Sequence, residues 1–142
     1  MPKKSQVDAA PQKPKRLSKG LSEEGLIEIK IKLRKRTITV SEASGFQSGL
    51  RGQLLADLLD EYDGKEKTEA AVAMNLLMNF WAPLYACSSG NVPDRDQFLK
   101  MAETDISYWV ETAKELNPDW FSWMNELIEP TPEQELEQEK KE

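Results

Sequence analysis

The chain of 142 residues contains no histidine and a single cysteine, Cys87. Without histidine, no Ser-His-Asp or Cys-His nucleophile can be assembled, and no His-based zinc or iron site. One cysteine excludes an intramolecular disulfide. Placed inside an apolar run, Cys87 reads as a small buried hydrophobe in a reducing compartment. Aromatic residues make up only 8% and hydrophobic residues 39%, against 31% charged. Mean hydropathy is −0.63. That is enough core material for one domain and no more. Basic charge is also in deficit: the net charge is −6 and the isoelectric point near 4.9, which argues against a general nucleic-acid binder.

The charge is unevenly spread. Residues 1–20 carry Lys3, Lys4, Lys13, Lys15, Arg16 and Lys19 against Asp8, with three prolines and almost no large apolar side chain. Such a stretch cannot bury enough surface to offset its ordering entropy, so a disordered basic tail is expected. Residues 129–142 carry six Glu against Lys140 and Lys141, and a disordered acidic tail is expected there, with a helix of some length as an alternative. The folded unit is then 21–128. Nothing like an apolar h-region follows the basic start, and the first twenty residues lack the amphipathic arginine pattern of a transit peptide, so a cytoplasmic protein is expected. The one run of membrane-crossing length, 70–87, is interrupted by Asn75, Asn79 and Pro83 and has no basic anchors. It reads instead as a buried central helix, with Asn75 and Asn79 as satisfied core amides or the lining of a polar groove.

Periodicity supplies the elements. Leu26 or Ile27, then Ile29, Ile31 and Leu33, alternate with Glu28, Lys30 and Lys32, which is a half-buried strand. LRKR at 33–36 makes a turn, and TITVS at 37–41 a second strand. Ser41 or Ser44 caps a helix whose Leu50, Leu54, Leu55, Leu58, Leu59 and Tyr62 share one face and which Asp63-Gly64 ends. A helix over 67–86, capped by Thr68, is apolar nearly all round and belongs in the middle of a bundle. Pro83 kinks or ends it. Asp94 and Gln97 form a capping box for a short helix through Phe98 and Met101. Thr104 caps another, with a stripe of Ile106, Trp109, Val110, Ala113 and Leu116 that Asn117-Pro118 stops. A last helical segment covers 119–128. The expected fold is mainly α: a small N-terminal β-hairpin packed on a four- to five-helix domain, with disordered tails.

Few residues suggest chemistry. The carboxylates Asp57, Asp60, Glu61 and Asp63 fall on the polar side of their helix, where nothing desolvates them for acid–base work, and the calcium-loop pattern is missing. Gly45, Gly49 and Gly52 are not followed by Lys-Ser/Thr at phosphate-loop spacing. No catalytic residue, metal or cofactor is expected. The basic run Lys30, Lys32, Arg34, Lys35 and Arg36 either touches phosphates or protects a hairpin edge from pairing with other chains. The candidate partner-binding residues are aromatic: Trp81, Trp109, Trp120, Phe121 and Trp123, with Met124. Core packing accounts for such residues in general. The density of large apolar side chains over 119–128, just before the acidic tail, also fits a surface that docks on a partner.

Four stretches carry a family resemblance: TITVSEAS (37–44), LRGQLLADLL (50–59), NFWAPLYACSSGNVPDRDQFLKM (79–101) and ELNPDWFSWM (115–124). An apolar helix running into LYAC, then G-x-VP and FL, then a Trp-bearing helix closing in LNPDWF, resembles the tail assembly chaperones of long-tailed bacteriophages and prophages, over about residues 25–125. The resemblance implies a small, mostly helical, non-enzymatic protein of the host cytoplasm. It would bind the tape measure protein, keep that chain soluble and help recruit the tail-tube protein. A rival reading from the residues alone is a small nucleic-acid-associated regulator that uses the basic arm and hairpin.

Overall fold

The computed structural model describes residues 13–64 and 68–124; the acidic tail, the first twelve residues and positions 125–128 of the 119–128 segment lie outside them. Four strands form one antiparallel sheet in the order β1 (Lys15–Leu21), β2 (Ile27–Lys32), β3 (Thr37–Ser41) and β4 (Ser88–Gly90). The expected hairpin is β2–β3, with Ile29 opposite Val40 and Ile31 opposite Ile38. The LRKR turn closes through the Leu33 N–H donating to the Arg36 carbonyl at 2.9 Å. Ile29, Ile31, Ile38 and Val40 are fully buried on one face, as period-two alternation requires.

The mainly-α expectation is corrected by the two outer strands. The fold is a four-stranded sheet with helices packed against one face, not a hairpin on a bundle. β1 lies within the basic stretch expected to be disordered. Every one of its residues is exposed, so it carries no apolar alternation to read. Backbone pairing with β2 and ion pairs from Arg16 and Lys19 to Glu115 hold it. Its turn into β2 uses Gly25 at φ +85°, a left-handed conformation that glycine adopts without strain. β4 is three small residues with no hydrophobic signal. Gly90 is needed there: at φ +94°, an added Cβ would lie 3.2 Å from the Thr37 carbonyl oxygen.

The helices follow the sequence more closely. α1 (Gly45–Tyr62) starts at Ser44, whose side chain accepts from Gln47 N–H while the Gln47 side chain accepts from Ser44 N–H. Leu58 is buried and Leu54, Leu55 and Tyr62 pack against the core, but Leu59 is 55% exposed. The expected 67–86 helix is three pieces: α2 (Thr68–Leu76), a π-helical turn (Leu77–Trp81) and α3 (Ala82–Ala86). Pro83 explains the break. Its ring cannot sit over a normal α-helical carbonyl, and a wider turn just before it, with Ala82 N–H reaching back to the Leu77 carbonyl, makes room. Only the second half is central. Asn75 is exposed and Asn79 half-buried, so neither is a core amide.

α4 (Arg95–Leu99) has the Asp94–Gln97 capping box. α5 (Glu103–Leu116) begins one residue before Thr104, so Ala102 rather than Thr104 holds the N-cap position. α5 packs its Trp109, Val110 and Ala113 inward and touches both β2 and β3. A 3-10 turn, Pro118–Phe121, follows. Asn117, 8% exposed, joins the layers: its Nδ2 donates to the Ser41 carbonyl at 2.9 Å and its Oδ1 accepts from Ala43 N–H at 2.8 Å. One amide thus satisfies two backbone groups where β3 leaves the sheet.

Candidate partner-binding groove

Four tryptophans were candidates, and the fold divides them into two pairs. Trp109 is fully buried, edge-on to Phe98, and its indole N–H donates to Ser88 Oγ at 3.0 Å. Trp81 is 6% exposed and donates to the Pro93 carbonyl at 3.0 Å. Phe121 is fully buried. These three rings are packed in the core, with both indole N–H groups satisfied, unlike the other candidates. Trp120, Trp123 and Met124 are half-buried at the molecular surface.

Those three border two hollows. The first, about 410 Å³, is walled by Leu76 and Phe80 from α2 and the π turn, Leu99 from α4, and Ile106 and Val110 from α5, with Met101 and Met124 completing it. Glu103 and Glu111 bring carboxylates to its lining. The geometry follows from helical periodicity. Phe98 points into the core, so Leu99, about 100° further round, turns outward and is 39% exposed. Leu76 is 38% exposed at the point where the rod of α2 leaves the core. The second hollow, about 380 Å³, lies between Leu55 of α1, Met78, Pro83, Trp120 and Trp123, with Asn79 and Asp119 as polar lining, so of the two asparagines Asn79 does line a groove. There the Arg51 guanidinium sits 4.3 Å from the Trp120 ring centroid, a cation–π contact. Phe80 of the first hollow meets Trp123 of the second edge-on, with ring centroids 5.4 Å apart. The result is an apolar, sulfur- and aromatic-rich face. Sequence reading found its C-terminal part but not Leu76, Phe80 or Leu99. A spare apolar residue next to a core one, as in Phe98-Leu99, was the available signal.

The basic candidates do not form one patch. Lys30 is exposed and Lys32 half-buried on the sheet face opposite Ile29 and Ile31. Arg34, Lys35 and Arg36 cluster instead at the β2–β3 turn, beside Lys100.

Chemically reactive arrangements are scarce. Burial pushes the Cys87 thiol up to about 12, a hydrogen bond with Ser88 only partly opposing it, so the thiolate that would act as nucleophile is suppressed. Asp57, Asp60, Glu61 and Asp63 are all exposed. Glu61 pairs with Arg95, whose pKa is raised mainly by that hydrogen bond. Among the described residues no group of His, Cys, Asp and Glu is placed to hold a metal ion, and no helix is long and apolar enough to cross a membrane. Compared with known proteins, the chain matches no family model, no curated protein and no solved structure.

Proposed function

We propose that the protein is a non-enzymatic phage tail assembly chaperone, which binds the tape measure protein, keeps it soluble and helps recruit tail-tube subunits. The observation that supports this reading is the open apolar groove between α2, α4 and α5. Its walls are flexible or branched side chains (Leu76, Leu99, Met101, Ile106, Met124) with carboxylates beside them. Such a surface suits the apolar stripe of an amphipathic helix, which presents anchors at three- and four-residue spacing. Methionines let one groove accept many helix sequences, as covering a long chain demands. Trp120 and Trp123 extend the same face.

Co-expression with a tape measure protein tests it. The wild-type chain is expected to keep the partner in the soluble fraction and to co-purify with it. Changing Trp120 and Trp123 together to Ala should abolish that protection while leaving the circular dichroism spectrum of the domain unchanged. A partner that is equally soluble without the chaperone, or a double variant that unfolds globally, would refute the reading.

A further inference from the structure

The apolar groove between α2, α4 and α5 lies open among the described residues, and the chain itself runs to its rim. Trp123 meets Phe80 of the groove wall edge-on, and Met124 supplies part of the lining. Met124 has a helical backbone and is the last described residue. The sequence continues with Asn125, Glu126, Leu127, Ile128 and Glu129, and then Pro130. Each residue of a helix turns about 100° from the one before. Leu127 and Ile128, three and four positions after Met124, therefore flank it on one face, while Glu126 and Glu129 fall on the opposite side. Ile128 lies about 6 Å further along such a helix than Met124. Pro130 ends the helix at or before Glu129.

We infer that residues 125–129 continue the helix begun at Met124, and that Leu127 and Ile128 cover the groove against Leu76, Leu99 and Met101 when no partner is bound. The occupant is this segment of the chain itself, for two reasons. Trp123 and Met124 already fix its start at the groove, so its effective concentration there is on the order of millimolar, which a separate chain must exceed. Its charge pattern also fits. Glu103 and Glu111 line the groove, and in the register set by Met124 the carboxylates of Glu126 and Glu129 turn away from them, toward water. The contact stands whether or not the tape measure reading does. On that reading a partner helix enters the groove by displacing the segment, which acts as a tethered competitor and spares the apolar walls from casual contacts.

The test is disulfide trapping in the full chain, where the buried Cys87 stays out of the reaction. Leu76→Cys or Leu99→Cys, both at exposed positions, is combined with Glu126→Cys, Leu127→Cys or Ile128→Cys. Bond formation under mild oxidation is followed by non-reducing electrophoresis. Position 127 or 128 should close a bond within the monomer about tenfold faster than position 126, which shares the tether but faces away. Equal rates at the three positions, or no bond at any, would overturn the inference. So would disulfide-linked dimers, which would put a second copy in the groove. A measurement without new cysteines uses the neutral dye Nile red. Leu127→Ser with Ile128→Ser should raise its fluorescence about threefold by uncovering apolar surface. Adding Leu76→Ser and Leu99→Ser should remove the increase, which an unfolded chain would keep. Unchanged fluorescence in the first variant, or an increase that survives in the second, would also overturn the inference.

Discussion

Trp109 and Trp123 lie within one small domain yet sit in opposite circumstances. Around Trp109 the rings are buried, each indole N–H has an acceptor, and the sheet face opposite is sealed by isoleucines. Around Trp123 the rings are half-buried, Leu76 and Leu99 face water, and hollows stay open on either side of the Phe80 contact. Folding requires the first arrangement, because buried polar atoms left unpaired are costly. Nothing in folding requires the second, and the proposed partner binding rests on that open apolar surface.

The largest expected effect that separates the two regions concerns Cys87, which belongs to the closed one. Its burial, with a pKa near 12, should slow labelling by a thiol reagent about a thousandfold or more relative to the unfolded chain. Stopped-flow labelling with and without denaturant measures the ratio, and rapid native labelling would show the closed region to be open. Next comes Trp109→Ala, expected to cost about 3–5 kcal/mol in urea unfolding, against about 1 kcal/mol for Trp123→Ala. Equal costs would erase the distinction. Asn117→Ala strands the Ser41 carbonyl and the Ala43 N–H, and about 2–3 kcal/mol should be lost.

The smallest effect concerns β1. A hydrogen bond from Arg16, seconded by Lys19, holds the Glu115 carboxyl below the usual carboxylate range, against a weaker opposing effect of burial. A pKa lower in the folded than in the unfolded chain adds stability above the unfolded value, and that increment disappears as pH falls through the folded one. Both partners are 41% exposed, so screening limits the increment to about 0.5 kcal/mol. Glu115→Gln should therefore lower stability slightly at neutral pH and not at all in strong acid, as urea midpoints across pH will show.

The sequence was legible wherever a pattern had a single physical meaning. Ile29 and Ile31 alternate with charges and form β2. Asp94 caps a helix because it has a glutamine three residues on; Ser44 does so by the same rule, settling which of Ser41 and Ser44 is the cap. Asn117-Pro118 stops α5. What escaped had no hydrophobic signature. β1 is exposed along its length, and what holds it is backbone pairing with the next strand and ion pairs to Glu115, neither of which leaves an apolar pattern in the sequence. β4 is Ser-Ser-Gly. Within the site, apolar character alone could not tell Trp109 from Trp123, since burial depends on which face of the fold each occupies. Arg51 over Trp120 joins positions in α1 and the 3-10 turn that no local pattern connects. The nearly all-apolar run after Thr68 misled for the converse reason. Its first half is exposed or half-buried, with Val72 and Leu76 open to water, and only Leu76 of it lines the groove.

The most direct test of that distinction is to charge the groove without touching the core. Leu76→Glu and Leu99→Glu together alter two exposed leucines that line the groove from α2 and α4. The double variant should unfold within about 1 kcal/mol of wild type and should no longer hold a tape measure protein in solution. A large loss of stability, or undiminished protection of the partner, would contradict the division of this molecule into a closed core and an open docking face.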